Sequence, residues 1–167
     1  DVLSDITIDG NGKTIKAGAL NQDNTSVLYL GSSSGAWCTG VKIKDLTIDV
    51  ETARFGIFLC GGTSSVLTNV TVKGDYIYGI NLYGTHGAEM TNCNIVSVFS
   101  NGQDDYPLNL NNTNIGTMIL NSSEREEDAG KVKINEGSSV DKLYAYGENT
   151  KNVGTGIEKV KEIFDGE

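Results

Sequence analysis

The side chains best suited to chemistry in this chain are carboxylates, with amides and aromatic rings beside them. Acidic residues gather as Glu51, Asp75, Asp104-Asp105, and Glu124 with Glu126-Glu127-Asp128. Hard carboxylate oxygens suit calcium, which takes about six to eight oxygen ligands. Asp104, Asp105 and Glu127 are therefore the candidate metal ligands, and calcium the candidate cofactor. A solvated charged loop accounts for the same residues without a metal. Asp104 and Asp105 are also a candidate acid/base pair, but sequence neighbours rarely hold the separation that an inverting hydrolase needs. His86, the sole histidine, sits in the turn Thr85-His86-Gly87 with no activated Ser or Cys partner. There is no Cys/His cluster with metal-ligand spacing. No complete catalytic set emerges, and no residue is assigned a catalytic role.

The elements that must position these residues are short and turn-rich. The chain has 167 residues, with 21 glycines and one proline. That is one domain's worth of material, and it favours tight turns between short strands over long helices. The net charge is −9, and Arg54 and Arg125 are the only arginines. Nucleic-acid binding runs on clustered Lys and Arg, so that class is excluded. An acidic polysaccharide would be repelled unless a cation bridged it. Cys38, Cys60 and Cys93 cannot all pair internally, so no disulfide framework is expected. Cys93 is expected as a small buried hydrophobe, and Cys38 and Cys60 pair only if their loops meet. No segment is apolar enough to insert into a membrane and no signal peptide is seen. The chain opens directly on a repeat unit, so it is expected to be part of a longer chain.

The repeat is the phrase Ile43-Lys44-Asp45-Leu46-Thr47-Ile48, apolar at its first, fourth and sixth positions. It returns at Leu67–Val72 and Met90–Ile95, upstream at Leu3–Ile8, and downstream at Ile115–Leu120 and Val140–Ala145. Steps of this size mean stacked supersecondary units. Strict alternation would put the second apolar residue at position three, so the strand must bend there. That position reads Asp5, Asp45, Asn69, Asn92, Thr117 and Lys142. Asn and Asp tolerate left-handed backbone and suit such a bend, and stacked they would form a side-chain ladder. A further strand follows each bend: Leu28-Tyr29-Leu30, Ile57-Phe58-Leu59, Ile80-Asn81-Leu82, Leu108-Asn109-Leu110 and Val132-Lys133-Ile134. At about 4.8 Å per strand step, six coils of three strands make a column about 29 Å long. After Tyr146 the phrase stops. Thr155-Gly156-Ile157-Glu158 matches a capping box, and Ile157, Val160 and Phe164 share a helical face, so a short capping helix over 156–164 is expected.

The units at 3–9 and 43–49, with the phrase Ile6 to Ile15, resemble the right-handed parallel β-helix proteins of the pectate-lyase-like superfamily. The resemblance runs from residue 3 to about 146. It implies an all-β fold, a right-handed single-stranded parallel β-helix, and it implies no particular activity. In enzymes of that superfamily the substrate lies outside the third strand's sheet, which points here to Tyr29, Phe58, Asn81 and Asn109, and one step on to Tyr83 and Asn111. Rings stack on sugar faces and amides bond hydroxyls, although a solvated sheet face would look the same. The calcium-dependent lyases it resembles use a basic proton abstractor. The candidates Arg54 and Lys133 are separated by about 14 Å along the stack, too far to serve one acidic cluster equally. The galacturonan-hydrolase motif order is reversed and incomplete, and the pectin-esterase motifs are missing.

The residues thus lead to a non-catalytic β-helix module of a bacterial secreted or cell-surface protein, contacting a polysaccharide or a surface protein. A calcium-assisted polysaccharide lyase is the second reading. A tailspike-like assembly element, pairing by its exposed ends or flanks, is the third.

Overall fold

The computed structural model describes residues 4–18, 26–31, 38–51, 53–74, 78–84, 88–101, 108–121, 132–146 and 154–166. They form an all-β parallel β-solenoid. The strands are β1 (Thr7–Lys16), β2 (Ser26–Leu30), β3 (Cys38–Thr39), β4 (Lys42–Asp49), β5 (Phe55–Thr63), β6 (Ser65–Lys73), β7 (Tyr78–Tyr83) and β8 (Ala88–Thr91). They continue as β9 (Asn94–Asn101), β10 (Leu108–Asn111), β11 (Asn114–Asn121), β12 (Val132–Ile134), β13 (Ser139–Tyr146), β14 (Gly154–Thr155) and β15 (Val160–Gly166). The pairings shared by β9 trace the winding. Its start, Asn94-Ile95, lies on Thr71-Val72 of β6, and its end, Val98 to Asn101, lies on Ile80 to Tyr83 of β7. One strand therefore turns a corner and runs along two sides of the coil.

The sequence dictates the sharpest corner locally. Asp45, Asn69, Asn92 and Asn112 hold φ of 51°, 54°, 54° and 45°, the left-handed region that short polar side chains tolerate. Each side chain then binds the next rung. Asn69 Nδ2 donates to Asp45 Oδ1 at 2.8 Å, Asn92 Nδ2 to Asn69 Oδ1 at 3.3 Å, and Asn112 Nδ2 to Asn92 Oδ1 at 2.7 Å. Gly137 follows at φ 76°, where an added Cβ would lie 3.0 Å from the Asn112 amide oxygen. The expected ladder exists, but Asn112 takes the place assigned to Thr117.

Apolar columns fill the interior. Leu46 pairs with Val70, Cys93 sits at the next level, and all three are buried. Beyond Cys93 the same column turns polar without leaving groups unpaired. Cys93 N–H donates to Thr113 Oγ1 at 3.1 Å, and Thr113 N–H donates to Ser138 Oγ at 3.0 Å. Cys93 is the small buried side chain expected, its Sγ against the Leu67 and Thr91 carbonyls at 3.5 and 3.4 Å. Burial pushes the thiols of Cys38, Cys60 and Cys93 up from their ordinary value.

The register departs from the repeat phrase in the later coils. Met90 pairs with Leu110, and Leu110 with Ile134, whereas Ile115 pairs with Ile95 and Val140 with Ile115. The phrases at 115–120 and 140–145 thus repeat Ile95–Ser100 and turn a different corner from Met90–Ile95. The upstream phrase also begins elsewhere: Ser4 bridges Thr39, and Ile8, not Leu3, pairs with Ile43. The coil count consequently differs slightly from six.

The capping helix over 156–164 is not formed. A single 3-10 turn spans Ile157–Lys159, and Val160–Gly166 is strand, pairing in parallel with β13 as Val140↔Val160, Leu143↔Ile163 and Tyr144↔Phe164. A helix this short nucleates poorly in water, whereas the open edge of β13 offers a full row of hydrogen-bonding groups. The apolar spacing Val160, Ile163 is the coil's own corner spacing, as in Val140, Leu143.

Candidate functional site

The third side of the coil carries one continuous outward column. Its rungs are Tyr29↔Phe58, Phe58↔Asn81, Asn81↔Phe99, Phe99↔Ile119, Ile119↔Tyr144 and Tyr144↔Phe164. Strand neighbours stand about 4.8 Å apart, close to the spacing of stacked rings, so aromatic residues at one register position must stack. Tyr29 lies over Phe58 with ring centroids 4.9 Å apart and an interplanar angle of 11°. Tyr144 and Phe164 repeat this at 4.6 Å and 13°.

Between these pairs the column is interrupted by Asn81 and by Ile119, and the rings step sideways around Asn81. Phe55 meets Phe58 edge-on at 5.4 Å and stacks with Tyr78 at 5.9 Å, and Tyr78 stacks on Phe99 at 5.2 Å. Tyr83 tilts toward Phe58 at 6.2 Å, and the Arg54 guanidinium lies 5.1 Å from the Phe55 ring. Asn81 is only 7% exposed, and among the described residues its Oδ1 has no hydrogen-bond partner. A buried amide oxygen without a donor costs about 1–3 kcal/mol. A ligand hydroxyl that reached it would recover that cost.

Tyr29, Phe58, Asn81 and Tyr83 are thus brought together as the sequence implied. Asn109 and Asn111 are not with them. They belong to β10, between Glu89-Met90-Thr91 and Val132-Lys133-Ile134, on the side of the coil before the asparagine corner. There Asn135 Nδ2 donates to both amide oxygens, at 2.6 Å to Asn109 and 2.8 Å to Asn111. These amides serve rung-to-rung bonding. The expected column fails because Leu108-Asn109-Leu110 shares the spacing of Ile80-Asn81-Leu82, which the structure pairs instead with Val98-Phe99-Ser100.

Phe55, Tyr78, Phe99, Tyr144 and Phe164 join this face without having been expected there. The signal for two of them was present: Phe99 and Tyr144 hold the fifth position of the phrases Ile95–Ser100 and Val140–Ala145.

Asp104, Asp105 and Glu127, with His86 and Asp75, lie outside the described residues. Among the described residues no group of three or more His, Cys, Asp or Glu side chains could hold a metal ion. Among them, too, no helix is long and apolar enough to cross a membrane.

The fold and this face define a parallel β-solenoid with an aromatic ladder on one side. No protein-family model, curated protein or solved structure matches the chain significantly.

Proposed function

We propose that this chain is a non-catalytic, glycan-binding β-helix module of the pectate-lyase-like kind, part of a bacterial secreted or cell-surface protein. The observation that carries the reading is the pairing of a solvent-facing ring with an unsatisfied amide. Tyr29, 51% exposed and stacked flat on Phe58, offers an apolar platform to a pyranose face. Asn81, one rung beyond, holds a buried carbonyl oxygen that has no hydrogen-bond partner among the described residues and would accept from a sugar hydroxyl that reached it. Sites of this type combine aromatic lining with a few placed polar groups. The acidic net charge, −9, favours a neutral glycan over an acidic one.

A glycan array on the purified chain, with Tyr29→Ala and Asn81→Leu beside it, tests this. Binding of a neutral oligosaccharide by the native chain, lost at least tenfold in Tyr29→Ala, is expected. Equal signals from all three proteins would remove the reading.

A further inference from the structure

We infer that Asn11 is a site of self-modification, at which the Gly12 backbone nitrogen converts the side-chain amide through a succinimide to aspartate or isoaspartate. β1 follows β4 as far as Asp9↔Lys44 and resumes at Lys13↔Leu46, so Gly10, Asn11 and Gly12 together stand opposite Asp45. A bulge of this kind leaves its extra residues outside the ladder. It is set by the register with β4 and is independent of what precedes the coil. Within it Asn11 holds φ 49° and Gly12 φ 70°, and both are exposed among the described residues. The Asn11 N–H donates to Asp9 Oδ1 at 2.9 Å, which ties the backbone turn, while no described residue hydrogen-bonds the Asn11 side-chain amide.

The two glycines of the bulge differ. A Cβ on Gly10 would lie 2.5 Å from the Asp45 carbonyl oxygen, whereas nothing lies within 4 Å of one on Gly12. The peptide plane between Asn11 and Gly12 can therefore rotate about its flanking bonds, because glycine accepts whatever φ the rotation leaves it. That rotation carries the Gly12 nitrogen to the Asn11 side-chain carbonyl carbon. The corner asparagines Asn69, Asn92 and Asn112 are exposed too, so exposure does not set Asn11 apart. Their amides are held by the neighbouring rungs, as the ladder bonds show. The nitrogens that would attack Asn92 and Asn112 are also engaged, since Cys93 N–H donates to Thr113 Oγ1 and Thr113 N–H to Ser138 Oγ. Each of the three precedes a residue with a Cβ, Val70, Cys93 or Thr113, which restricts the same rotation.

The reaction needs only water as co-reactant. The Gly12 nitrogen gives its proton to a solvent base and bonds to the Asn11 side-chain carbonyl carbon. The bond from that carbon to Nδ2 then breaks, and the amide leaves as ammonia, taking up a proton. Water opens the resulting five-membered ring at either carbonyl, giving aspartate or isoaspartate. The sum is amide plus water to carboxylate plus ammonium, so the chain gains one negative charge. Isoaspartate lengthens the backbone, and a bulge already outside the ladder takes up the extra length without shifting Ile8 or Ile15 from their partners Ile43 and Ile48.

Incubation of the folded chain at mildly alkaline pH, followed by peptide mapping with mass spectrometry, tests the proposal. Aspartate and isoaspartate are expected to accumulate at residue 11 while Asn69, Asn92 and Asn112 stay intact, with unchanged far-ultraviolet circular dichroism. Gly12→Ala is expected to slow the conversion at least tenfold. Because alanine is strained at this φ, a second measurement uses the native chain alone. Hydroxylamine added to the folded protein traps the succinimide and is expected to cut the chain between residues 11 and 12. Residue 11 remaining asparagine after a corner asparagine has converted would overturn the proposal. So would conversion in Gly12→Ala at the native rate, or aspartate appearing at residue 11 with no hydroxylamine cleavage there.

Discussion

Replacing Asn92 separates the two jobs that the corner residue performs. Asn92 sits in the middle of the ladder at φ 54°, donating to Asn69 at 3.3 Å and accepting from Asn112 at 2.7 Å. In Asn92→Ala both side-chain bonds go. The group is solvent-exposed, so each is worth the low end of the usual net range, about 0.5 kcal/mol. Alanine in left-handed backbone, without a local polar bond to help, costs about 1 kcal/mol more. The sum is about 2 kcal/mol. In a chain of this size 1 kcal/mol moves the melting temperature by about 2–4 °C, so a drop of about 4–8 °C is expected. Asn92→Gly loses the same bonds but adopts the corner freely, and its greater unfolded-chain freedom offsets part of that gain. A drop of about 2–4 °C is expected for glycine. Thermal and urea unfolding of the three proteins give the order native, glycine, alanine. Glycine falling as far as alanine, or further, would refute the claim that backbone conformation is half of what selects Asn at this corner.

Other expectations follow from the core and the charges. Ile95→Ala, at a position 1% exposed, is expected to destabilise by about 2–5 kcal/mol in urea unfolding, because the packed rungs above and below cannot collapse into the gap. Cys38, Cys60 and Cys93 are buried and free with raised thiol pKa, so Ellman's reagent at neutral pH is expected to label none in the native chain and all three after denaturation. The hydrogen bond from Lys44 Nζ, 2.8 Å from Asp9 Oδ2, holds the Asp9 carboxyl below its ordinary 3.8. A lowered carboxylate stabilises the fold above its ordinary pKa, and the contribution is lost as pH falls through the lowered value. Nuclear magnetic resonance titration should place the Asp9 midpoint below 3.8 in the native chain and return it upward in Lys44→Met.

The coil itself was legible because inward positions must be apolar and corners must bend. Ile43, Leu46 and Ile48 stack on Leu67, Val70 and Val72 as the phrase requires. Register was not legible from the phrase alone, because different corners of the coil share its spacing. Met90, Cys93 and Ile95 turn the asparagine corner, while Ile95, Val98 and Ser100 turn the next one. Only the left-handed Asn tells the two apart, and Asn112 marked the true position that Ile115 obscured. The terminal strand failed for the same reason: Val160 and Ile163, three apart, fit a helix face and a coil corner alike. Of the site, Tyr29, Phe58, Asn81 and Tyr83 were readable because they precede the coils where the register slips. Asn109 and Asn111 were misplaced with it, and the aromatic ladder past Asn81 was hidden by the same slip.

The measurement that bears most directly on this architecture is a methyl nuclear Overhauser spectrum of the chain labelled at Ile, Leu, Val and Met. Val98 is the interior residue between Ile80 on one side and Met118 on the other. Cross-peaks from the Val98 methyls to both Ile80 and Met118 are expected, with Ile80 showing none to Leu108. Contacts from Ile80 to Leu108, without those to Val98, would contradict the winding and the aromatic face built on it.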